Sequence, residues 1–191
     1  MKVINFFGAP GVGKTRQTFL LTAMFKQAQV DGEASLEFVK EYIHSNSEHL
    51  LAYQNFIFAQ QERQLRILEN SREVEFAVTD APLVLSAFYQ PENYPVFFKD
   101  LVFEIFNGYE NINFFIHRNH PYSHQGRVHD EESSNLVSRK MKAFLINNNV
   151  PFTEIKSTDD LSKIIFPDLL ENYRVPNYLD GKKFRGNEDK K

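Results

Sequence analysis

The residues of this chain with the clearest chemical purpose lie near its N-terminus, in the run Gly-Ala-Pro-Gly-Val-Gly-Lys-Thr from Gly8 to Thr15. This is the G-x-x-x-x-G-K-[ST] pattern, whose glycines let successive backbone N–H groups turn toward an anion. A following helix adds its unpaired N–H groups and its positive dipole end. Lys14 is expected to bind the β- and γ-phosphates of ATP, and Thr15 to ligate Mg²⁺. The predicted nucleotide-binding residues are Gly8, Gly11, Val12, Gly13, Lys14, Thr15 and Arg16.

Asp80 is the candidate partner of Thr15 on the magnesium side of the site. It ends the apolar segment 74–79, a predicted strand, and a strand-ending Asp in such a chain lies near Mg²⁺. The alternative role is a helix N-cap, because Ala81 and Pro82 follow and proline suits an early helical position. Both roles are compatible. Ala81 stands where many motor-type ATPases carry a water-activating Glu, which disfavours a hydrolytic motor.

Glu41 is the candidate general base. It closes a second predicted strand at 35–40, where a carboxylate can accept the proton of an attacking hydroxyl. The alternative is a solvent-facing Glu paired with a nearby Lys. Glu37 is expected at the surface. Whether Glu41 or Asp80 is the base stays open on the sequence.

The segment 117–130 is a candidate lid, with Arg118, Arg127 and four of the six histidines of the chain. The donor fork of a guanidinium suits phosphate oxygens, so these arginines are predicted to stabilise charge on the transferring phosphoryl group, Arg127 first. Arg139 in the next predicted helix is a third candidate. The alternative is an exposed basic loop. The histidines have no zinc-site spacing, so no metal is predicted there.

A long predicted helix at 50–68 carries polar side chains that suit recognition of the acceptor. Side-chain amides can pair with the edge of a base or carboxamide by a donor and an acceptor together. The alternative is plain solvation, the usual state of polar residues on a helix. The candidates are Gln54, Gln60, Gln61 and Arg63.

The composition is that of an ordinary globular chain of 191 residues, with a formal net charge of −3 and no cysteine. The charge disfavours a protein that lives on nucleic acid or on acidic membrane, and the lack of cysteine excludes disulfides and thiolate metal sites. No apolar run approaches the roughly 20 residues of a membrane helix, so a cytoplasmic location is expected. We predict one domain at 1–176 and a polar, basic, mobile tail at 177–191. The tail leaves contact with nucleic acid possible but not favoured.

Strands and helices alternate along the chain. This alternation predicts an α/β fold with a parallel sheet and helices on both faces. The predicted strands are 3–7, 35–40, 74–79, 113–116 and 151–155. The predicted helices are 14–29, 50–68, 96–106, 131–146 and 158–170.

The order of these parts over residues 2 to 156 resembles the small P-loop kinases, in particular the nicotinamide riboside kinase-like group. It also resembles ATP-binding proteins of the AAA type that are common in bacteriophages. The resemblance implies a P-loop NTPase three-layer sandwich with strand order 2-3-1-4-5 and an Arg-bearing lid. It implies phosphate and Mg²⁺ roles for Lys14 and Thr15, a Mg²⁺-side role for Asp80, a base at Glu41 and a lid arginine at Arg127. Ala81-Pro82 replaces the acid-rich run of the riboside kinases, which leaves the acceptor open.

The leading hypothesis is therefore an ATP- and Mg²⁺-dependent kinase of a nucleoside, a nucleotide or a related ribosyl metabolite, acting in the cytoplasm (of the host, if a phage encodes the chain). A second hypothesis keeps the chemistry but places the acceptor hydroxyl on a modified base of phage DNA. A third is a regulatory ATPase that acts by binding a partner. The expected ligands are ATP, Mg²⁺ and a small-molecule phosphoacceptor. No membrane partner is expected, and the oligomeric state is left open.

Overall fold

The computed structural model describes residues 1–37, 48–119 and 131–164. These residues form an alternating set of strands and helices, as the hydrophobic pattern predicts. The strands are β1 (Lys2–Phe7), β2 (Gly32–Ser35), β3 (Phe76–Thr79), β4 (Glu110–His117) and β5 (Thr153–Lys156). The helices are α1 (Lys14–Gln27), α2 (Gln54–Asn70), α3 (Leu85–Tyr89), α4 (Phe98–Asn107), α5 (Glu131–Asn147) and α6 (Leu161–Ile164), with a 3₁₀ helix at Glu48–Ala52 before α2.

The five strands form one sheet in the order β2-β3-β1-β4-β5, and every neighbouring pair is parallel. This confirms the predicted α/β class and the strand order of the P-loop NTPase fold. In a parallel sheet the carboxyl ends of all strands meet at one edge, which is where ligands bind in this architecture. The residues that directly follow each of the five strands therefore begin at the same edge of the sheet.

The sheet separates two apolar cores. Ile4 and Phe6 of β1 pack on the face covered by α1, whereas Val3 and Phe7 pack on the opposite face with α2, α4 and α5. This is the alternation of a strand that is buried on both sides. Among the described residues, no helix is long and apolar enough to cross a bilayer.

The predicted bounds of the second strand are wrong. The strand was expected at 35–40, but β2 spans Gly32–Ser35 and pairs along its whole length with β3. Gly32 begins the strand because a Cβ there would lie 2.4 Å from Cδ2 of Phe25 in α1. Packing of α1 against the sheet thus outweighs the β-propensity of the apolar residues that follow. Glu41 consequently does not close the strand; it lies outside the described residues.

Strand β4 is longer than the predicted 113–116 because two asparagines at its start are satisfied inside the sheet. Asn5 Nδ2 donates to the Oδ1 atoms of Asn111 and Asn113, both at 2.9 Å. Their own amides donate to backbone carbonyls of Phe106 and Pro151. Polar residues that would otherwise end a strand are therefore accommodated by pairing across β1 and β4.

The other boundaries agree with the prediction within a few residues, except at the last helix. That helix was expected at 158–170, and α6 is described over Leu161–Ile164. Residues 158–160 are described and form a turn instead of helix, whereas residues 165–170, the predicted lid residues 120–130 with Arg127, and the predicted tail at 177–191 lie outside the described residues. The domain limits at 1–176 stay a prediction.

Candidate nucleotide-binding site

The loop between β1 and α1 has the backbone conformation that its glycines permit. Gly8 has φ +143°, and a Cβ there would lie 2.7 Å from Val12 Cγ2 and 2.9 Å from the Ile116 carbonyl oxygen. Gly13 caps α1 in the left-handed region, with φ +96°. Residues with a side chain rarely adopt such conformations. The glycine spacing thus allows the chain to turn tightly from the sheet edge into the helix.

Lys14 and Thr15 begin α1 and turn their side chains toward the predicted site. Lys14 Nζ donates to the carbonyl of Gly8 at 2.8 Å, so the ammonium group lies across the loop. Thr15 Oγ1 donates to Asp80 Oδ2 at 2.5 Å. Two residues that are 65 positions apart in the chain are therefore in direct contact at the sheet edge.

Asp80 is buried, with 1% of its surface exposed, and it is held from two sides. Its Oδ2 accepts from Thr15, and its Oδ1 accepts from the backbone N–H of Glu37 at 2.7 Å. The alternative role of Asp80 as a helix cap does not occur, because α3 begins only at Leu85 after Val84. Asp80 instead connects the phosphate loop to the chain that follows β2.

The donor set at Thr15 and Asp80 fits a magnesium ion. A hydroxyl and a carboxylate are hard oxygen ligands, and Mg²⁺ commonly takes only one or two protein ligands beside water and phosphate oxygens. Within residues 1–37, 48–119 and 131–164, no group of three or more His, Asp or Glu side chains could hold a metal by itself. A cation bound by Thr15 and Asp80 would therefore need further oxygen ligands beyond these two side chains.

Arg16 and Gln17 connect the start of α1 to the end of β5. Arg16 Nη1 and Gln17 Nε2 both donate to the carbonyl of Ser157, at 3.0 and 2.9 Å. The Ser157 hydroxyl in turn donates to Asn119 Oδ1 at 2.6 Å, just beyond β4. Arg16, a predicted nucleotide-binding residue, thus lies in a polar cluster that closes one side of the phosphate loop.

Arg118 follows β4 and is held by the first turns of α5. Its Nη2 donates to Glu131 Oε1 at 2.9 Å and to Asn135 Oδ1 at 2.8 Å, and only 10% of the side chain is exposed. The Arg118 side chain is therefore largely buried against α5 at the end of β4. Arg139 is exposed further along α5.

Glu37 is a further candidate site residue, which the sequence analysis had expected at the surface. It lies two residues beyond β2, at the same sheet edge as Asp80, and its backbone N–H binds that carboxylate. Its side chain is half-buried. Burial first, and the Glu37 carboxylate second, raise the pKa of Tyr89 at the end of α3. The signal was the register of β2: a strand at 32–35 makes Glu37, not Glu41, the acid at the strand end.

The long helix α2 turns some of its predicted polar residues inward. Gln54 and Gln61, two turns apart, are both buried, whereas Arg63 is exposed and Gln60 is intermediate. Gln54 Nε2 donates to the Leu51 carbonyl at 2.7 Å. Within the described part of the chain, Gln61 Oε1 is buried without a hydrogen-bond partner. Of the four candidate side chains, those of Gln54 and Gln61 are thus buried in the fold.

Comparisons with known proteins agree with the fold. Residues 3–160 match the family model described as an AAA domain. No curated protein matches the sequence significantly. Among solved structures, the chain is similar to a deoxyadenosine kinase from M. mycoides, with a TM-score of 0.53 and 15% sequence identity. The similarity covers 88% of this chain and 99% of the kinase, and at this identity it shows a shared fold.

Proposed function

This chain belongs to the AAA domain family, and we propose that it is an ATP- and Mg²⁺-dependent phosphotransferase. The observation that carries the proposal is the buried Asp80 carboxylate, which accepts from Thr15 of the phosphate loop and from the backbone N–H of Glu37 after β2. The residue after Asp80 is Ala81 and not a water-activating Glu, which favours transfer over hydrolysis. We propose that the acceptor is a nucleoside, a nucleotide or a related ribosyl metabolite.

The donor half of the site would work as follows. Backbone N–H groups between Gly11 and Thr15 bind the phosphates, and Lys14 exchanges its contact with the Gly8 carbonyl for β- and γ-phosphate oxygens. Thr15 and Asp80 hold Mg²⁺, which when bound neutralises the phosphate charge. Arg118 and Arg127 supply further positive charge at the transferring group.

The acceptor half centres on Glu37 in this proposal, with Asp80 and Glu41 as the other candidate bases. The backbone of Glu37 is bonded to Asp80 at the sheet edge where the phosphates would bind, and the proposal places the acceptor hydroxyl at this edge beside the γ-phosphate. The carboxylate accepts the hydroxyl proton while the oxygen bonds to the γ-phosphorus and ADP departs. The likeness to a kinase solved with dCMP and dCDP supports a nucleoside or nucleotide as the acceptor.

We also propose that one domain at 1–176 performs the reaction in the cytoplasm, of the host if a phage encodes the chain. The family match at 3–160 falls within those limits. Residues 177–191 would then be a tail outside the catalytic domain.

A screen of nucleosides and nucleotides with γ-labelled ATP and Mg²⁺ tests the function. We expect labelled product with at least one acceptor, and none for Lys14→Ala, because the lysine is the main charged contact to the transferred group. Lys140→Ala, an exposed lysine on α5, is the matched control and should retain activity. Label that enters only hydroxymethylated DNA would favour the second hypothesis. ATP hydrolysis that no acceptor changes would overturn the kinase proposal in favour of a regulatory ATPase.

A further inference from the structure

One face of α5 connects the end of β4 with the phosphate loop. Glu131, Ser134 and Asn135 are spaced i, i+3 and i+4, so they project from the same side of the helix. Glu131 and Asn135 accept from Arg118 Nη2, whereas Ser134 Oγ donates to the carbonyl of Pro10 at 2.9 Å. A single helix face therefore contacts both the arginine and the loop.

Arg118 lies close to the phosphate loop because β4 is the neighbour of β1. The carbonyl oxygen of Ile116, two residues before Arg118, would be 2.9 Å from a Cβ on Gly8. On the other side, the backbone N–H of Asn119 donates to Ser157 Oγ. The carbonyl of Ser157 also accepts a hydrogen bond from Gln17 of α1. The chain at Arg118 is thus enclosed by β1, α1 and α5.

Arg118 and its partner Glu131 differ in how far their side chains are exposed to solvent. The Arg118 side chain is 10% exposed, whereas that of Glu131 is 59% exposed. An ion pair with one largely solvated partner contributes little to folding stability. Its effect on the arginine is conformational, because two acceptors on one nitrogen restrict a long side chain that otherwise has many rotamers.

We propose that Glu131 and Asn135 are positioning residues that hold the Arg118 guanidinium beside the phosphate loop, ready to contact bound ATP. This inference rests on the proposed nucleotide site. Fixing the side chain in advance removes an ordering cost that ATP binding would otherwise bear. Ser134 fixes the phosphate loop relative to α5, the helix that holds Arg118, through its hydrogen bond to the Pro10 carbonyl. Neither Glu131 nor Asn135 touches the nucleotide in this arrangement.

Calorimetric titration of the full chain with ATP and Mg²⁺ tests the inference without an acceptor. Glu131→Gln should raise the Kd for ATP by about threefold to tenfold, which corresponds to freeing one long side chain. Asn135→Ala should act in the same direction. Glu132→Gln is the matched control: it also removes one negative charge from the first turn of α5, and Glu132 is exposed. The control should leave the Kd unchanged.

A double-mutant cycle with Arg118→Ala separates positioning from a structural role. If Glu131 acts through Arg118, Glu131→Gln changes the Kd for ATP no further once Arg118 is alanine. Equal Kd values for Glu131→Gln and Glu132→Gln, or additive effects with Arg118→Ala, would overturn the inference. Asn135→Ala provides the same comparison if Glu131→Gln fails to fold. A wild-type chain that does not bind ATP would instead overturn the proposed function itself.

Discussion

Asp80 acquires its role from side chains that are distant in sequence. The carboxylate is almost completely buried, and burying it is unfavourable unless its oxygens are hydrogen-bonded. Thr15 and the Glu37 backbone provide those bonds from two different loops. At the scale of single residues, both oxygens of the buried Asp80 carboxylate are therefore hydrogen-bonded by groups from two different parts of the chain.

The assignment of the general base to Glu37 can be tested against its assignment to Glu41. We expect Glu37→Gln to lower kcat by about 10²–10⁴-fold with little change in the KM for ATP, because only proton removal is lost. Glu41→Gln is the comparison variant and should have a much smaller effect. Steady-state kinetics with the acceptor found in the screen measures both. A larger loss for Glu41→Gln would return the base to the residue that the sequence predicted.

At the scale of elements, the edge formed by β4 and β5 has its own ion cluster. Glu154 of β5 contacts Lys142 of α5 at 2.8 Å and the ring of His117 at the end of β4. The lysine first, and the histidine second, hold the pKa of Glu154 below its ordinary value. The cluster therefore connects α5, β4 and β5 most strongly when the Glu154 carboxylate is charged.

The sign of this shift predicts a pH dependence of stability. Because the pKa of Glu154 is lower in the folded chain than in the unfolded one, its stabilising contribution is complete above the unfolded pKa of about 4.3. The contribution is lost as the pH falls below that value through the folded pKa. Wild type should exceed Glu154→Gln in Tm by about 1–3 °C at pH 6, a small difference because the pair is half-exposed. The difference should shrink as the pH falls from 6 toward 3.

Thermal melts followed by circular dichroism between pH 3 and pH 6 measure the effect. Glu92→Gln, an exposed glutamate in the loop before α4, is the control and should track wild type at every pH. A Tm difference for Glu154→Gln that stays constant with pH would contradict the assignment.

At the scale of the whole molecule, β1 contributes alternate residues to both apolar cores. Leu21 of α1 is fully buried on one face of the sheet, and Leu145 of α5 is fully buried on the other. Because the same central strands support both faces, loss of one core exposes the strand side of the other. We therefore expect the described residues to unfold as one cooperative unit.

Leu21→Ala and Leu145→Ala test this cooperativity. Each should lower the free energy of unfolding by about 2–5 kcal/mol, because each removes a fully buried side chain. The double variant should lose the sum within about 0.5 kcal/mol, since the two sites do not share a core. Leu20→Ala, at a side chain 42% exposed, is the control and should lose far less. Urea unfolding should give one coincident transition by circular dichroism and tyrosine fluorescence; two separate transitions would disprove a single unit.

The sequence by itself determined the parts of this protein that depend on contiguous residues. The phosphate loop is local, since its glycines, Lys14 and Thr15 stand in one unbroken run. The alternation of apolar segments likewise determined the α/β class and the place of Asp80 at a strand end. The predicted strand order, taken from a resemblance that covers most of the chain, agrees with the sheet.

Only the tertiary structure decided which side chains meet. The packing of Gly32 against Phe25 and the pairing of β2 with β3 end the strand at Ser35, and the backbone of Glu37 then meets Asp80. No periodicity in the sequence contains that contact, because it depends on how a helix packs against a sheet. The same reason applies to Arg118, whose partners on α5 become its neighbours only when that helix packs against the sheet.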